Sequence, residues 1–204
     1  MTDTDNPLLN ERFTKATEYA LDHHNTQIRK GSGIPYASHL LAVTAIVLEM
    51  GGSEDEAIAA MLHDVVEDGG GPKAEAEIRD RWGDDVAEWV IANSDSRTGS
   101  SEKEEWSVRK ERYVEGIAGK PVEAVRVSIA DKLHNARMIV ADHRVVGDEL
   151  WDRFSASGPQ TLWYYEALIN AFDARRNDLG PGAIAKLDEL RRTVEEMREI
   201  VVAG

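Results

Sequence analysis

The dipeptide His63-Asp64 closes the apolar run AAMLHDVVED. An imidazole and a carboxylate can carry protons or hold a metal, but burying them is costly unless they are paired or metal-bound. Glu67 and Asp68 follow four residues after His63 and Asp64, an offset that puts each pair on one face of a helix. Three carboxylates then crowd the C-terminal turn of that helix, where the macrodipole disfavours negative charge. A bound cation reverses the sign of that argument. His39 opens a second apolar stretch, PYASHLLAV. Asp131 interrupts a third, VRVSIADKLHNARMIV, with His134 at i+3 and Asn135 at i+4. A lone His-Asp pair is more often a core histidine beside surface acids. Four ligand-type residues at otherwise apolar positions argue differently. His39, His63, Asp64 and Asp131 would converge as two imidazoles and two carboxylates, a set suited to one Mn²⁺, Fe²⁺, Zn²⁺ or similar ion. The chain has no cysteine, which excludes a thiolate zinc site and a cysteine nucleophile.

Helices must position these groups. Phe13, Ala16, Thr17, Ala20 and Leu21 recur with helical spacing, and a second helix is expected over about 38–50. The intervening RKGSGIPY (29–36) reads as a loop, because Gly31, Gly33 and Pro35 interrupt helix. Ser53 followed by Glu56 is a capping box for a third helix over about 54–67. Further helices are expected at about 73–82, 84–93, 104–118, 121–140, 159–176 and 181–202. Residues 94–103 read as a polar loop, 142–158 as loop with a short helical turn, and 1–8 as a frayed lead. No segment longer than a few residues has strand periodicity. The expectation is an all-α bundle of eight to ten helices forming a single domain over 1–204. Its metal-site core would span about 13–140, with C-terminal helices at about 159–202. Along the last helix Ile184, Leu187, Leu190, Val194, Met197 and Val201 draw one apolar stripe. That stripe would pack on its own domain or pair across a homodimer.

The chain of 204 residues carries a formal net charge of −14. Such acidity argues against a nucleic-acid polymer as partner. No apolar run approaches the roughly 20 residues of a membrane span. The opening MTDTDNPLLNERF lacks the basic and apolar regions of a signal peptide, so a cytoplasmic location is expected.

The order H…HD…D resembles the signature of HD-domain phosphohydrolases. HHNTQIRKGSGIPYASHLLAV, AAMLHDVVED, RWGDDVAEWV and IADKLHNAR resemble, in order, motifs of the RelA/SpoT-type (p)ppGpp hydrolases. These matches span about 13–140, and nothing beyond them resembles that family's synthetase or regulatory domains. The chain is thus similar to small stand-alone alarmone hydrolases. The resemblance implies an HD-domain helical fold with one Mn²⁺ held by His39, His63, Asp64 and Asp131. It implies that Glu67 and Asp68 activate water or handle protons, that Arg29 and Lys30 lie near a nucleotide, and that Asn135 lies near its ribose. The implied reaction removes the 3′-pyrophosphate of ppGpp or pppGpp, leaving GDP or GTP. Lys132 and Arg137 would join Arg29 and Lys30 in a basic rim that offsets the chain's overall charge. Two alternatives stay open: an HD phosphatase acting on another nucleotide such as NADPH, and a non-catalytic nucleotide-binding module.

Overall fold

The computed structural model describes residues 8–94 and 104–203. Most of the expected lead (1–8) and of the expected loop (94–103) lies outside the described residues. Nine α-helices form among the described residues: α1 Glu11–His23, α2 Ala37–Glu49, α3 Glu54–Leu62, α4 Gly71–Trp82, α5 Asp84–Asn93, α6 Trp106–Gly116, α7 Val122–Val146, α8 Gly158–Ala174 and α9 Arg176–Ala203. The protein is an all-α bundle. Among those residues the nearest thing to a strand is one isolated bridge, Ile28 to Pro35, which pinches the loop before α2.

Local chemistry sets the helix starts. Asn10 caps α1 by accepting from Arg12 N. Ser53 and Glu56 form the expected capping box on α3. Ser157 and Gln160 form a second one on α8, with Pro159 in its first turn. These caps satisfy backbone donors that have no partner inside the helix.

Three boundaries differ from expectation. α3 stops at Leu62, and a five-residue π-helical stretch, Val66–Gly70, follows. Asp68 N still donates to Asp64 O (2.9 Å), but Gly70 N reaches back to Val65 O (3.1 Å), and Gly69 takes φ +116°. Crowded carboxylates followed by three glycines loosen the turn. α7 runs on to Val146, because no breaker intervenes before Gly147 at φ +62°, and a 3₁₀ helix occupies Gly147–Arg153. Ahead of the expected last helix, one turn from Arg176 leads to a break at Gly180 (φ +77°).

α7 is the axis of the bundle, packing against α2, α3, α5, α8 and α9. One apolar cluster extends from Ala16 of α1 to Met197 of α9. The stripe on α9 belongs to it: Leu187, Leu190, Val194 and Met197 are buried, Ile184 is partly so, and α9 packs on α7 and α8. Its own domain therefore covers most of that stripe.

Glu56 ties three helices together. Its carboxylate accepts from Ser53 N (2.8 Å) and pairs with Arg126 of α7 (3.0 Å), whose Nε donates to Leu179 O (3.0 Å). Glu56 is 3% exposed. Removing one partner of such a pair leaves the other charge uncompensated. Glu56→Ala is expected to destabilise the fold by about 2–4 kcal/mol, measured by urea unfolding, while Glu56→Gln, which keeps an acceptor, loses less.

Candidate active site

Three helices deliver the ligand-type residues to one point. His39 lies in the first turn of α2, His63 is the C-cap of α3, and Asp131 sits midway along α7. One potential ligand atom from each lies within 4.8 Å of the others. The two Nε2 atoms are 3.2 Å apart, and Asp131 Oδ1 is 3.3 Å from His39 Nε2. Asp64 flanks this trio: its Oδ2 is 2.9 Å from His63 Nε2 and 3.4 Å from His39 Nε2.

The outer nitrogens of both imidazoles are committed elsewhere. His63 Nδ1 donates to Ala60 O (2.7 Å), and His39 Nδ1 lies 2.8 Å from His134 Nδ1. With its Nδ1 proton so engaged, His63 turns Nε2 to the cluster, the orientation a second partner gives a ligating histidine. The carboxylates are held as well. Tyr36 OH donates to Asp64 Oδ2 (2.5 Å), while Asn135 Nδ2 (2.5 Å) and Lys132 Nζ (2.6 Å) donate to Asp131. Arg29 Nη2 in turn donates to Asn135 Oδ1 (2.9 Å).

The electrostatics call for a cation. Burial alone would push His63 down, but Asp64 and then Asp131 overrule it and raise its pKa to about 9. Burial would likewise raise both carboxylates. His63 and His39 hold Asp64 well below its usual range, and Lys132 with His39 does the same for Asp131. In the protein alone a proton on His63 supplies the positive charge between two carboxylates. A divalent ion suits the same donors, two imidazole nitrogens and two carboxylates, better than a lone proton does. His39, His63, Asp131 and the adjoining Asp64 could therefore hold one.

This cluster opens into a cavity. A compartment of about 130 Å³ reaches His39, Asp64 and Asp131, and a larger one of about 440 Å³ adjoins it. Arg29, Lys30, Lys132 and Asn135 line the larger space, as do Glu67 and Asp68. Lys132 is not a rim residue as expected. Its side chain is 12% exposed and is held by Asp131. Arg137 is absent from the lining. It turns to α9 and pairs with Glu189, its Nε 3.2 Å away, because on α7 it lies off the cavity face.

Several lining residues had escaped the sequence reading. Arg109 and Lys110 come from α6, Phe154 from the link before α8, and Thr161, Tyr164 and Tyr165 from α8. Trp106 packs edge-on to Tyr164 at 6.0 Å. The Tyr164 hydroxyl is buried without a hydrogen-bond partner among the described residues. The available signals were weak: two basic residues together in an acidic chain, and a Tyr-Tyr pair in an otherwise apolar helix.

Residues 16–152 match the family model described as HD domain. The chain belongs to the HD domain family. A guanosine-3′,5′-bis(diphosphate) 3′-pyrophosphohydrolase of Haemophilus influenzae is 32% identical over 126 residues, covering 59% of this chain and 17% of that protein. The guanosine-3′,5′-bis(diphosphate) 3′-pyrophosphohydrolase MESH1 of Drosophila melanogaster is 34% identical over 129 residues, covering 62% of this chain and 68% of that protein. The chain spans about a sixth of the length of its long bacterial relatives. A solved metazoan ortholog of SpoT shares the fold, with a TM-score of 0.70 at 23% identity over 92% of this chain and 97% of that one. A Listeria monocytogenes structure matches at TM-score 0.64 and 28% identity, covering 81% and 99% of the two chains. In this HD domain protein the aromatic wall from Phe154 to Tyr165 lies beyond the family match, so the cavity is completed by the C-terminal helices.

Behind the site Lys120 lies with its Nζ 3.5 Å from the Tyr113 ring centre and without a hydrogen-bond partner among the described residues. Burial, and then the charge of Lys132, lower its pKa to about 7, against a slight opposing pull from Asp131. Below about pH 7 both folded and unfolded chains hold the proton, and the fold bears the full cost of burying it. Between pH 7 and the unfolded value near 10.5 only the unfolded chain keeps it, so stability rises with pH across that window. Lys120→Met is expected to stabilise the protein by about 1–3 kcal/mol at pH 6, with the gain shrinking as the pH approaches 10, followed by thermal unfolding across that range.

Proposed function

We propose that this protein is a metal-dependent phosphohydrolase that removes the 3′-pyrophosphate of ppGpp or pppGpp. The observation that carries this reading is the convergence of His39, His63 and Asp131, with Asp64 beside them, at the inner end of a cavity lined by Arg29, Lys30, Arg109, Lys110 and Lys132. Cations along such a cavity suit a substrate with several phosphates. The family membership and the named activities of the Haemophilus and Drosophila relatives support the substrate class.

A divalent cation bound by His39, His63, Asp64 and Asp131, for which Mn²⁺ is our choice, supplies Lewis acidity and makes a water molecule acidic when present. The chain's own groups do the rest. Tyr36 and Asn135 fix the two carboxylates so that they do not swing toward solvent. Lys132, beside Asp131, and Arg29, held by Asn135, offset phosphate charge at the inner end. Glu67 lines both compartments and Asp68 the larger one, and in this reading they take the proton from the attacking water and return one to the leaving group. Tyr164, its pKa pushed well above the usual value by burial, keeps its proton and offers a donor at the cavity wall.

The test is release of pyrophosphate, as opposed to phosphate, from ppGpp in the presence of Mn²⁺, with NADPH as a parallel substrate. Pyrophosphate from ppGpp supports the reading, and phosphate from NADPH alone moves the assignment to another nucleotide phosphatase. Asp131→Ala and Asp64→Ala are each expected to lose bound metal by elemental analysis. Glu67→Gln is expected to lower kcat by about 10²–10⁴-fold with metal content near normal. A Glu67→Gln enzyme that loses metal but keeps its turnover per bound ion would exchange the assigned roles.

A further inference from the structure

His24 and Gln27 stand just beyond α1, and Gln27 lines the larger cavity. His24 is the C-cap of that helix and only 3% exposed. Its Nδ1 lies 2.6 Å from Gln27 Oε1, and Gln27 Nε2 donates to Asp68 Oδ2 at 2.7 Å. The second contact fixes the first. A carboxylate accepts, so the amide must turn its nitrogen to Asp68 and its oxygen to His24. His24 Nδ1 therefore carries the hydrogen and donates. Its Nε2 is left with a lone pair, buried and without a partner among the described residues.

That unsatisfied nitrogen is a cost to the fold. An apolar ring would fill the same space without it, so packing alone does not account for a histidine here. Asp68, by contrast, needs an external hold. It is exposed, has non-helical φ/ψ (−87°, 33°) within the π-helical stretch, and precedes three glycines. α1 is a firm base for such a hold, with Ala16 and Ala20 fully buried and His24 N bonded to Ala20 O. The His24 ring also stacks on Tyr36 (5.0 Å, 29°), whose hydroxyl holds Asp64.

We propose that His24 and Gln27 are positioning residues: His24 locks the Gln27 amide, and Gln27 holds the Asp68 carboxylate toward the reaction centre. The proposal rests on the reading of Asp68 as a proton-handling group in hydrolysis. No group transfer is assigned to either residue.

The test compares pyrophosphate release from ppGpp, metal content and thermal unfolding for wild type, Asp68→Asn, His24→Phe, His24→Asn, Gln27→Leu and the His24→Phe/Gln27→Leu pair. His24→Phe keeps a ring against Tyr36 and removes the donor. It is expected to lower kcat about 10-fold with KM and bound metal little changed. Gln27→Leu, on a partly exposed side chain outside the core, should lose the same factor, and the double variant should lose no more than either alone. His24→Asn, which places an N–H near the Nδ1 position, should recover most of the rate. Single variants that turn over like wild type, losses that multiply in the double variant, or a His24→Asn no better than His24→Phe would each overturn the proposal. If His24→Phe does not fold, Gln27→Leu alone decides by the same kcat criterion. A fully active Asp68→Asn, or a wild type that releases no pyrophosphate, would overturn the underlying reading and the proposal with it.

Discussion

Two imidazoles and two carboxylates sit where three apolar helices meet, and the rest of the architecture answers to the cost of keeping them there. Desolvation opposes every charge in the cluster, on His63 as on Asp64 and Asp131. That cost is recovered only if each group has a partner and the sum of charges is balanced. Tyr36, Asn135, Lys132 and the Ala60 carbonyl supply the partners. The balance requires positive charge at the centre, which a proton on His63 supplies in part and a divalent cation supplies in full. α2, α3 and α7 pack against one another, and the cluster stays together only while they keep those positions. The Glu56–Arg126 pair links α3 to α7.

The sequence spoke most clearly where polar residues break an apolar pattern. Asp131 inside VRVSIADKLHNARMIV, and His63-Asp64 at the end of AAMLHDVVED, have no place in a plain core. Periodicity located the helices, and breakers set most of their ends. It failed at residues 63–70, where local carboxylate repulsion and Gly69–Gly71 turn an expected helix end into a π-helical stretch. It also stopped α7 too early, although ADHRVV holds no breaker before Gly147.

The cavity wall was less legible for a different reason. Arg109, Lys110, Tyr164 and Tyr165 come from α6 and α8, whose sequences look like those of ordinary amphipathic or buried helices. Their role depends on which face turns toward α7, and that is a tertiary fact. Arg137 shows the converse. It lies two residues beyond Asn135 on the same helix, yet that step of about 200° carries it to the α9 side, where Glu189 takes it. Helical phase separates a cavity residue from a structural one when composition alone makes them look equivalent.

Phase also bears on how so acidic a chain would receive the polyanion proposed as its substrate. The chain holds 38 acidic and 24 basic residues, whereas the larger cavity is lined by five basic side chains and four acidic ones. Acidic side chains outside the cavity include members of exposed surface pairs such as Arg79–Asp84 and Arg81–Glu77, where solvent screens the charge. Inside the cavity screening is weaker, and the local balance governs what can enter. Of the four acids, Asp64 flanks the His39–His63–Asp131 cluster, and a cation there would offset it and make the lining more positive. On the proposed function, a cation at the cluster would therefore also favour an anionic substrate in the cavity. Lys132 is paired with Asp131 on one side and faces the cavity on the other.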